Sequence, residues 1–123
     1  MTAPSKIDQR ALGSQGEDLA AEFFRRRGFQ ILARNWRCGD GELDLVVLRS
    51  GVVRVIEVKT RRSFGAGYPE EAVTDEKLEH LSAAWHRFVV ANPALPDDVH
   101  FDVLTITFSS KGYPIYRYLP DIE

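Results

Sequence analysis

Two apolar segments, 42–48 and 52–61, are separated by only Arg49-Ser50-Gly51. Leu43, Leu45, Val46, Val47 and Leu48 fill the first, and Val52, Val53, Val55, Ile56 and Val58 the second. Short runs rich in Val, Ile and Leu read as β-strands, and so brief a connection makes them an antiparallel hairpin. The rest of the chain must pack around that hairpin. It also carries charge where a sheet least accommodates it: Asp44 in the first strand, Glu57 and Lys59 in the second. Side chains alternate across a strand, so Glu57 and Lys59 leave the same face. Two carboxylates and an ammonium on neighbouring apolar strands are costly unless something makes use of them. A divalent cation and a phosphodiester would do so.

Around the hairpin, periodicity predicts a helix over 7–27, with Leu12, Leu19, Ala20, Phe23 and Phe24 as its apolar stripe and Gly28 as its stop. Gly13, Gly16 and Ala20 leave one wall of this helix thin enough to lie close to a sheet. A first strand over 29–36 and a turn over 37–41 lead into the hairpin, and a glycine-containing loop over 63–68 leads out. Thr74 caps a long second helix ending near Ala91, with Asp75 and Glu76 in its first turn and Leu78, Leu81, Trp85, Phe88 and Val89 as its buried stripe. After a proline-rich break over 92–98, strands follow over 101–108 and 113–119, the last marked as an edge by Pro114. The order αβββαββ predicts an α/β fold: one mixed sheet with a helix on each face, the second helix being a crossover.

The 123 residues suit a single domain spanning 1–123, with a frayed start over about the first seven. A formal net charge of -2 gives no molecule-wide basic field, so any nucleic-acid surface must be local. Candidates are Arg25-Arg26-Arg27, Arg34 with Arg37, and Arg61-Arg62, each equally readable as solvated surface. Cys38 is the single cysteine, which excludes an intramolecular disulfide and a thiolate zinc cluster and fits a reducing cytoplasm. Residues 1–10 contain no apolar signal-like core, and no stretch is long enough to span a bilayer; a soluble, unsecreted protein is expected.

The charged residues of the hairpin set the chemistry. Two carboxylates about 4 Å apart repel by roughly 4 kcal/mol at an effective dielectric near 20. A raised pKa, a basic partner or a bound cation relieves that repulsion. Lys59 is one basic partner, but one ammonium leaves negative charge over. Excess carboxylate oxygen suits Mg²⁺, which retains waters and takes substrate phosphates as further ligands. Lys59 would then hold the attacking water or touch the scissile phosphate. The bland alternative is a buried structural ion pair of Glu57 with Lys59 or with an arginine. Glu17, beside the stripe of the first helix, is either solvated or a further metal ligand. Lys77, opening the second helix, is either a surface lysine or a phosphate contact, and Arg61 and Arg62 leave the second hairpin strand where they could grip a flanking phosphate. The segment 40–44 imitates a calcium loop, but Leu45 and Gly51 stand where that loop needs glycine and a bidentate glutamate. His100 and Asp102 share a strand face, where a simple hydrogen bond and a structural role are expected.

At these residues the chain resembles the YraN family of small bacterial proteins, restriction-endonuclease-like relatives of the archaeal Holliday-junction resolvases. The resemblance is carried in order by Gly13, Gly16-Glu17, Ala20 and Ala21; Gly28-Phe29 and Arg34-Asn35; Gly41-Glu42-Leu43-Asp44-Leu45; Glu57-Val58-Lys59-Thr60-Arg61; Phe64-Gly65, Pro69, Glu71-Ala72-Val73 and Lys77; and Phe101-Asp102-Val103. It implies the PD-(D/E)xK nuclease fold, a restriction-endonuclease-like mixed β-sheet flanked by helices. Asp44 would be the metal-binding aspartate, Glu57 the second ligand, Lys59 the catalytic lysine and Glu17 the helix glutamate of resolvase-like members. Leu43 replaces the proline that names the motif, and His100 stands where many relatives carry arginine. The resemblance implies a Mg²⁺- or Mn²⁺-dependent endonuclease acting on DNA, with branched or flapped substrates in view and a homodimer expected if it cuts symmetrically. The readings left open beside it are a nucleic-acid-binding or accessory protein with little chemistry of its own, and a satisfied ionic network.

Overall fold

The computed structural model describes residues 9–61 and 74–122. They form α1 (Gln9–Arg26), β1 (Gln30–Cys38), β2 (Gly41–Arg49), β3 (Val52–Arg61), α2 (Asp75–Ala91), β4 (Val99–Phe108) and β5 (Pro114–Leu119), the order expected. The strands make one five-stranded sheet in the order β1-β2-β3-β4-β5. All neighbours are antiparallel except β3 and β4, which run parallel because α2 carries the chain back across a face of the sheet. Arg62, the 63–68 loop and the motif residues from Phe64 to Val73 lie outside the described residues, as do residues 1–8.

Each helix covers one face. Ala20, Ala21, Phe23 and Phe24 of α1 pack with Leu45, Val47, Ile56, Leu104 and Ile106. Leu81, Ala84 and Phe88 of α2 pack with Leu43, Val46, Val53 and Val55. α1 ends where Gly28 takes φ 83°, which a side chain would resist, and Phe29 turns its backbone N–H back to the Phe24 carbonyl. α2 begins where the Thr74 hydroxyl accepts the Lys77 backbone N–H, as a capping threonine should.

The sequence misplaces some boundaries. The turn expected over 37–41 contracts to Gly39-Asp40, because Arg37 and Cys38 pair with Glu42 and Gly41 and continue the ladder. Val89 is 36 % exposed, and Ala84 takes the place expected of it in the buried stripe of α2. Pro114 does lie on an edge strand.

Two irregularities shape the middle of the sheet. Leu43 and Val46, three residues apart, both pack against α2, so the strict alternation of β2 fails at Asp44. Across from this point, between the pairs Arg34↔Leu45 and Trp36↔Leu43, Asn35 adopts φ 50°. The β2–β3 ladder also stops at Leu45↔Ile56, whereas β3 stays paired with β4 as far as Arg61↔Thr107. Beyond Ile56 the β2–β3 seam therefore opens.

At the far end of β3 and β4 lies a separate ionic cluster. Asp102 is fully buried; its carboxylate accepts from Arg54 at 3.0 and 3.2 Å, from the Asp121 backbone N–H at 2.8 Å and from the Tyr118 hydroxyl. This bears out the structural role expected of Asp102. His100, however, turns to Asp121 and Asp98, at 2.6 and 2.7 Å, rather than to Asp102. Asp121 and Asp98 raise its pKa, since carboxylates at both ring nitrogens favour the imidazolium.

Candidate functional site

The open seam between β2 and β3 is a cleft of about 390 Å³ lined by Gly13, Glu17, Glu42, Asp44, Glu57, Val58, Lys59, Thr60 and Lys77. Its geometry follows from the backbone. Where the ladder ends, Val58 has no β2 carbonyl to donate to, and its N–H is taken at 2.9 Å by the Asp44 carboxylate instead. Glu57 and Lys59 stand two apart on β3 and emerge together, Lys59 Nζ 3.3 Å from Glu57 Oε1. Lys77, in the first turn of α2, brings a second ammonium to the same oxygen at 3.4 Å. On the other side α1 crosses β3 at Gly16, where a Cβ would lie 2.0 Å from Thr60 Oγ1. Only the missing side chain permits that approach, and it sets Glu17 on the rim of the cleft. Asn35, in its unusual conformation, donates to Glu17 at 2.7 Å.

Burial, then the charge of Glu57, pushes Asp44 up to about 8, and the hydrogen bond from Val58 only partly offsets them. Glu42, two residues before Asp44, adds to the rise through a hydrogen bond and its charge. Burial works to lower Lys59, but the Lys77 amine and the Glu57 carboxylate outweigh it, and its pKa rises. Lys77 moves the other way, lowered by burial and by Lys59. Two of the three reliefs named for this pair of carboxylates are thus in use: the pKa of Asp44 is raised, and Glu57 has basic partners. The third, a cation, is what the donor chemistry leaves room for. Asp44 and Glu57 offer hard carboxylate oxygens, and Mg²⁺ sites that also take phosphate commonly use one or two carboxylates. Among the described residues no group of three or more His, Cys, Asp or Glu side chains could hold a metal ion, so the fit is to a centre completed by water and substrate. Glu17, engaged by Asn35, lines the same cleft.

Of the residues singled out from the sequence, Glu17, Asp44, Glu57, Lys59 and Lys77 share the cleft. Arg61 closes β3 half-buried and does not line it, and Arg62 lies outside the described residues. Sequence reasoning passed over Glu42 and Asn35. The two-residue period from Asp44 could have found Glu42, because i and i+2 share a face. Asn35 had no comparable signal, since its role depends on a φ that sequence does not display. A larger depression of about 920 Å³, between the β1–β2 turn and the end of α2, is lined by Trp36, Cys38, His86 and Val90 among others. It lacks the pairing of carboxylates with lysines that distinguishes the cleft.

Residues 16–106 match the model of the uncharacterised protein family UPF0102, a span holding every candidate site residue. The chain is 38% identical over 112 residues to a UPF0102 protein of Nocardia farcinica, covering 91% of this chain and 88% of that one. It is 43% identical over 96 residues to a UPF0102 protein of Chloroherpeton thalassium, covering 78% and 74%, and 32% identical over 116 residues to one of Dictyoglomus turgidum, covering 94% and 98%. No described helix is long and apolar enough to cross a membrane. The chain belongs to the UPF0102, or YraN, family.

Proposed function

We propose that this protein is a divalent-metal-dependent nuclease that hydrolyses phosphodiester bonds in DNA, with branched or flapped DNA as its substrate class. The observation that carries this is the meeting of Asp44, Glu57 and Lys59 in the opened β2–β3 seam. Asp44 and Glu57 would hold Mg²⁺ or Mn²⁺, with Glu17 at the margin. Such an ion, when bound, lowers the pKa of water and neutralises charge developing on a phosphate. Lys59, fixed within a paired strand, orients the attacking water beside the phosphorus and stabilises the added negative charge. The Val58 N–H holds the Asp44 carboxylate in place so that it need not reorganise. Hydrolysis joins the water oxygen to phosphorus, breaks one bond to a sugar oxygen and delivers a proton to that oxygen. Lys77, and Arg61 with Arg62 just past Lys59, supply positive charge for the flanking strand.

The test is a screen of duplex, single-stranded, flapped and four-way-junction DNA with Mg²⁺ or Mn²⁺, beside Glu57→Gln. Wild type should cut at least one structure only with metal present, and Glu57→Gln should cut none while melting normally. Absence of cleavage by wild type on the whole panel overturns the proposal.

A second reading draws support from the pairing of Glu57 with two lysines and from the lack, among the described residues, of a group of three or more His, Cys, Asp or Glu side chains that could hold a metal ion. On it, the protein binds nucleic acid and serves a partner without cutting. DNA affinity that falls steeply with salt, is unchanged in Asp44→Asn and comes without cleavage favours this reading.

A further inference from the structure

Glu57 Oε1 receives two ammonium groups of different origin. Lys59 Nζ, at 3.3 Å, comes from the same strand two residues on, in a stretch paired to β4 through Lys59↔Thr105. Lys77 Nζ, at 3.4 Å, arrives from the first turn of α2. The Lys77 side chain is 39 % exposed and Lys59's is 23 %, against 13 % for Glu57. One carboxylate oxygen therefore carries two positive charges from two different elements, while Asp44 beside it receives neither in an ion pair among those described.

A divalent cation bridging Asp44 and Glu57 cannot share Glu57 with both ammoniums without strong like-charge repulsion. One lysine has to withdraw. Lys59 is the less exposed of the two, and its backbone is held in the β3–β4 ladder through Lys59↔Thr105. Lys77 is the more exposed of the two, and its long flexible stem lets its ammonium move while its helix stays in place.

We propose that Lys77 takes on Glu57 the share that a bound cation would need and is displaced when the cation binds, which frees its ammonium to grip a substrate phosphate. Lys77 is then a positioning residue that links metal loading to DNA engagement. This rests on the nuclease reading above and deepens it. Lys77 lowers affinity for the metal alone and raises affinity for DNA once metal is present, two effects of opposite sign from one side chain.

The experiment measures Mn²⁺ binding by calorimetry without DNA, and binding of a short duplex with Ca²⁺ or with chelator. Wild type, Lys77→Met, Lys77→Arg and Glu57→Gln are compared after each is shown to melt cooperatively. Lys77→Met should bind Mn²⁺ on the order of tenfold more tightly than wild type, since a competing charge is gone. Wild type should gain duplex affinity on adding Ca²⁺, Lys77→Met should lose most of that gain, and Lys77→Arg should restore both wild-type values. A merely structural Lys77 would not tighten Mn²⁺ binding on removal. If wild type binds Mn²⁺ but Lys77→Met binds it equally or more weakly, the displacement proposal is wrong and the metal centre stands. If wild type binds no Mn²⁺, or Glu57→Gln binds it as wild type does, the metal centre itself is wrong.

Discussion

The backbone N–H of Val58 donates to the side-chain carboxylate of Asp44 over 2.9 Å, in the place where a β2 carbonyl would otherwise accept it. One interaction thus closes the end of a ladder and anchors a site residue. The seam opens at Leu45↔Ile56, and the next residues on either strand are Asp44 and Glu57. The cleft is therefore a property of strand pairing, and its charged residues line the gap that the pairing leaves.

This arrangement makes stability depend on pH through Asp44 in metal-free buffer. Its ordinary pKa of 3.8 rises to about 8 in the fold, mainly through burial. Below pH 4 folded and unfolded chains both hold the proton. Between pH 4 and 8 the unfolded chain ionises while the folded one does not, so stability falls as pH rises and levels off above 8. Asp44→Asn removes this dependence and still offers an oxygen to Val58. With chelator present, the variant should match wild type near pH 4 and exceed it by up to a few kcal/mol at pH 8, each tenfold change in proton affinity being worth about 1.4 kcal/mol. Urea unfolding across that range measures it, and parallel curves for the two proteins would refute it.

Gly16 controls how closely α1 approaches the cleft. In an exposed helix interior Gly→Ala gains about 1 kcal/mol of helix propensity. Here the added methyl would sit 2.0 Å from Thr60 Oγ1 and 3.0 Å from Thr60 Cβ, so rotating the threonine cannot clear it. Overpacking of this kind costs about 1–3 kcal/mol, so Gly16→Ala should be net destabilising. Thr60→Ala in the same chain should recover part of the loss. Thermal melts of the three variants decide it; a stabilised Gly16→Ala would show that α1 does not press on β3.

Most of this fold could be read from the sequence, for identifiable reasons. The hairpin followed from the three residues between two Val-rich runs, the parallel β3–β4 pair from a helix long enough to cross over, and the edge position of β5 from Pro114. The closeness of Glu57 and Lys59 followed from the period of a strand. Residues whose roles depend on contacts between elements were harder. Lys77 reaches Glu57 from the first turn of a different element, α2, and Glu17 reaches the cleft because Gly16 lets α1 down onto Thr60. The failure of alternation at Asp44 and the φ of Asn35 leave no mark in hydrophobic pattern, because each belongs to one strand's response to its neighbour.

The cluster around Asp102 makes a prediction independent of the cleft. Arg54, with its side chain 21% exposed, is the cation bonded to a carboxylate that is 0% exposed. Among the described residues, Arg54→Met leaves that charge with the Asp121 N–H and the Tyr118 hydroxyl. Removing one partner of a buried pair costs about 3–5 kcal/mol, and the low end is expected here because two donors remain. Adding Asp102→Leu should return much of the loss, since a buried pair replaced by apolar groups is often neutral. A loss below about 1 kcal/mol in urea unfolding of Arg54→Met would contradict the burial of this charge.

The central claim is that Asp44 and Glu57 hold a hard divalent cation, and the most direct measurement is the anomalous scattering of Mn²⁺ in crystals of the protein soaked with it. The account predicts a peak between these two carboxylates in wild type and none there in Glu57→Gln. A peak that persists in Glu57→Gln, or Mn²⁺ bound only elsewhere on the molecule, would contradict it.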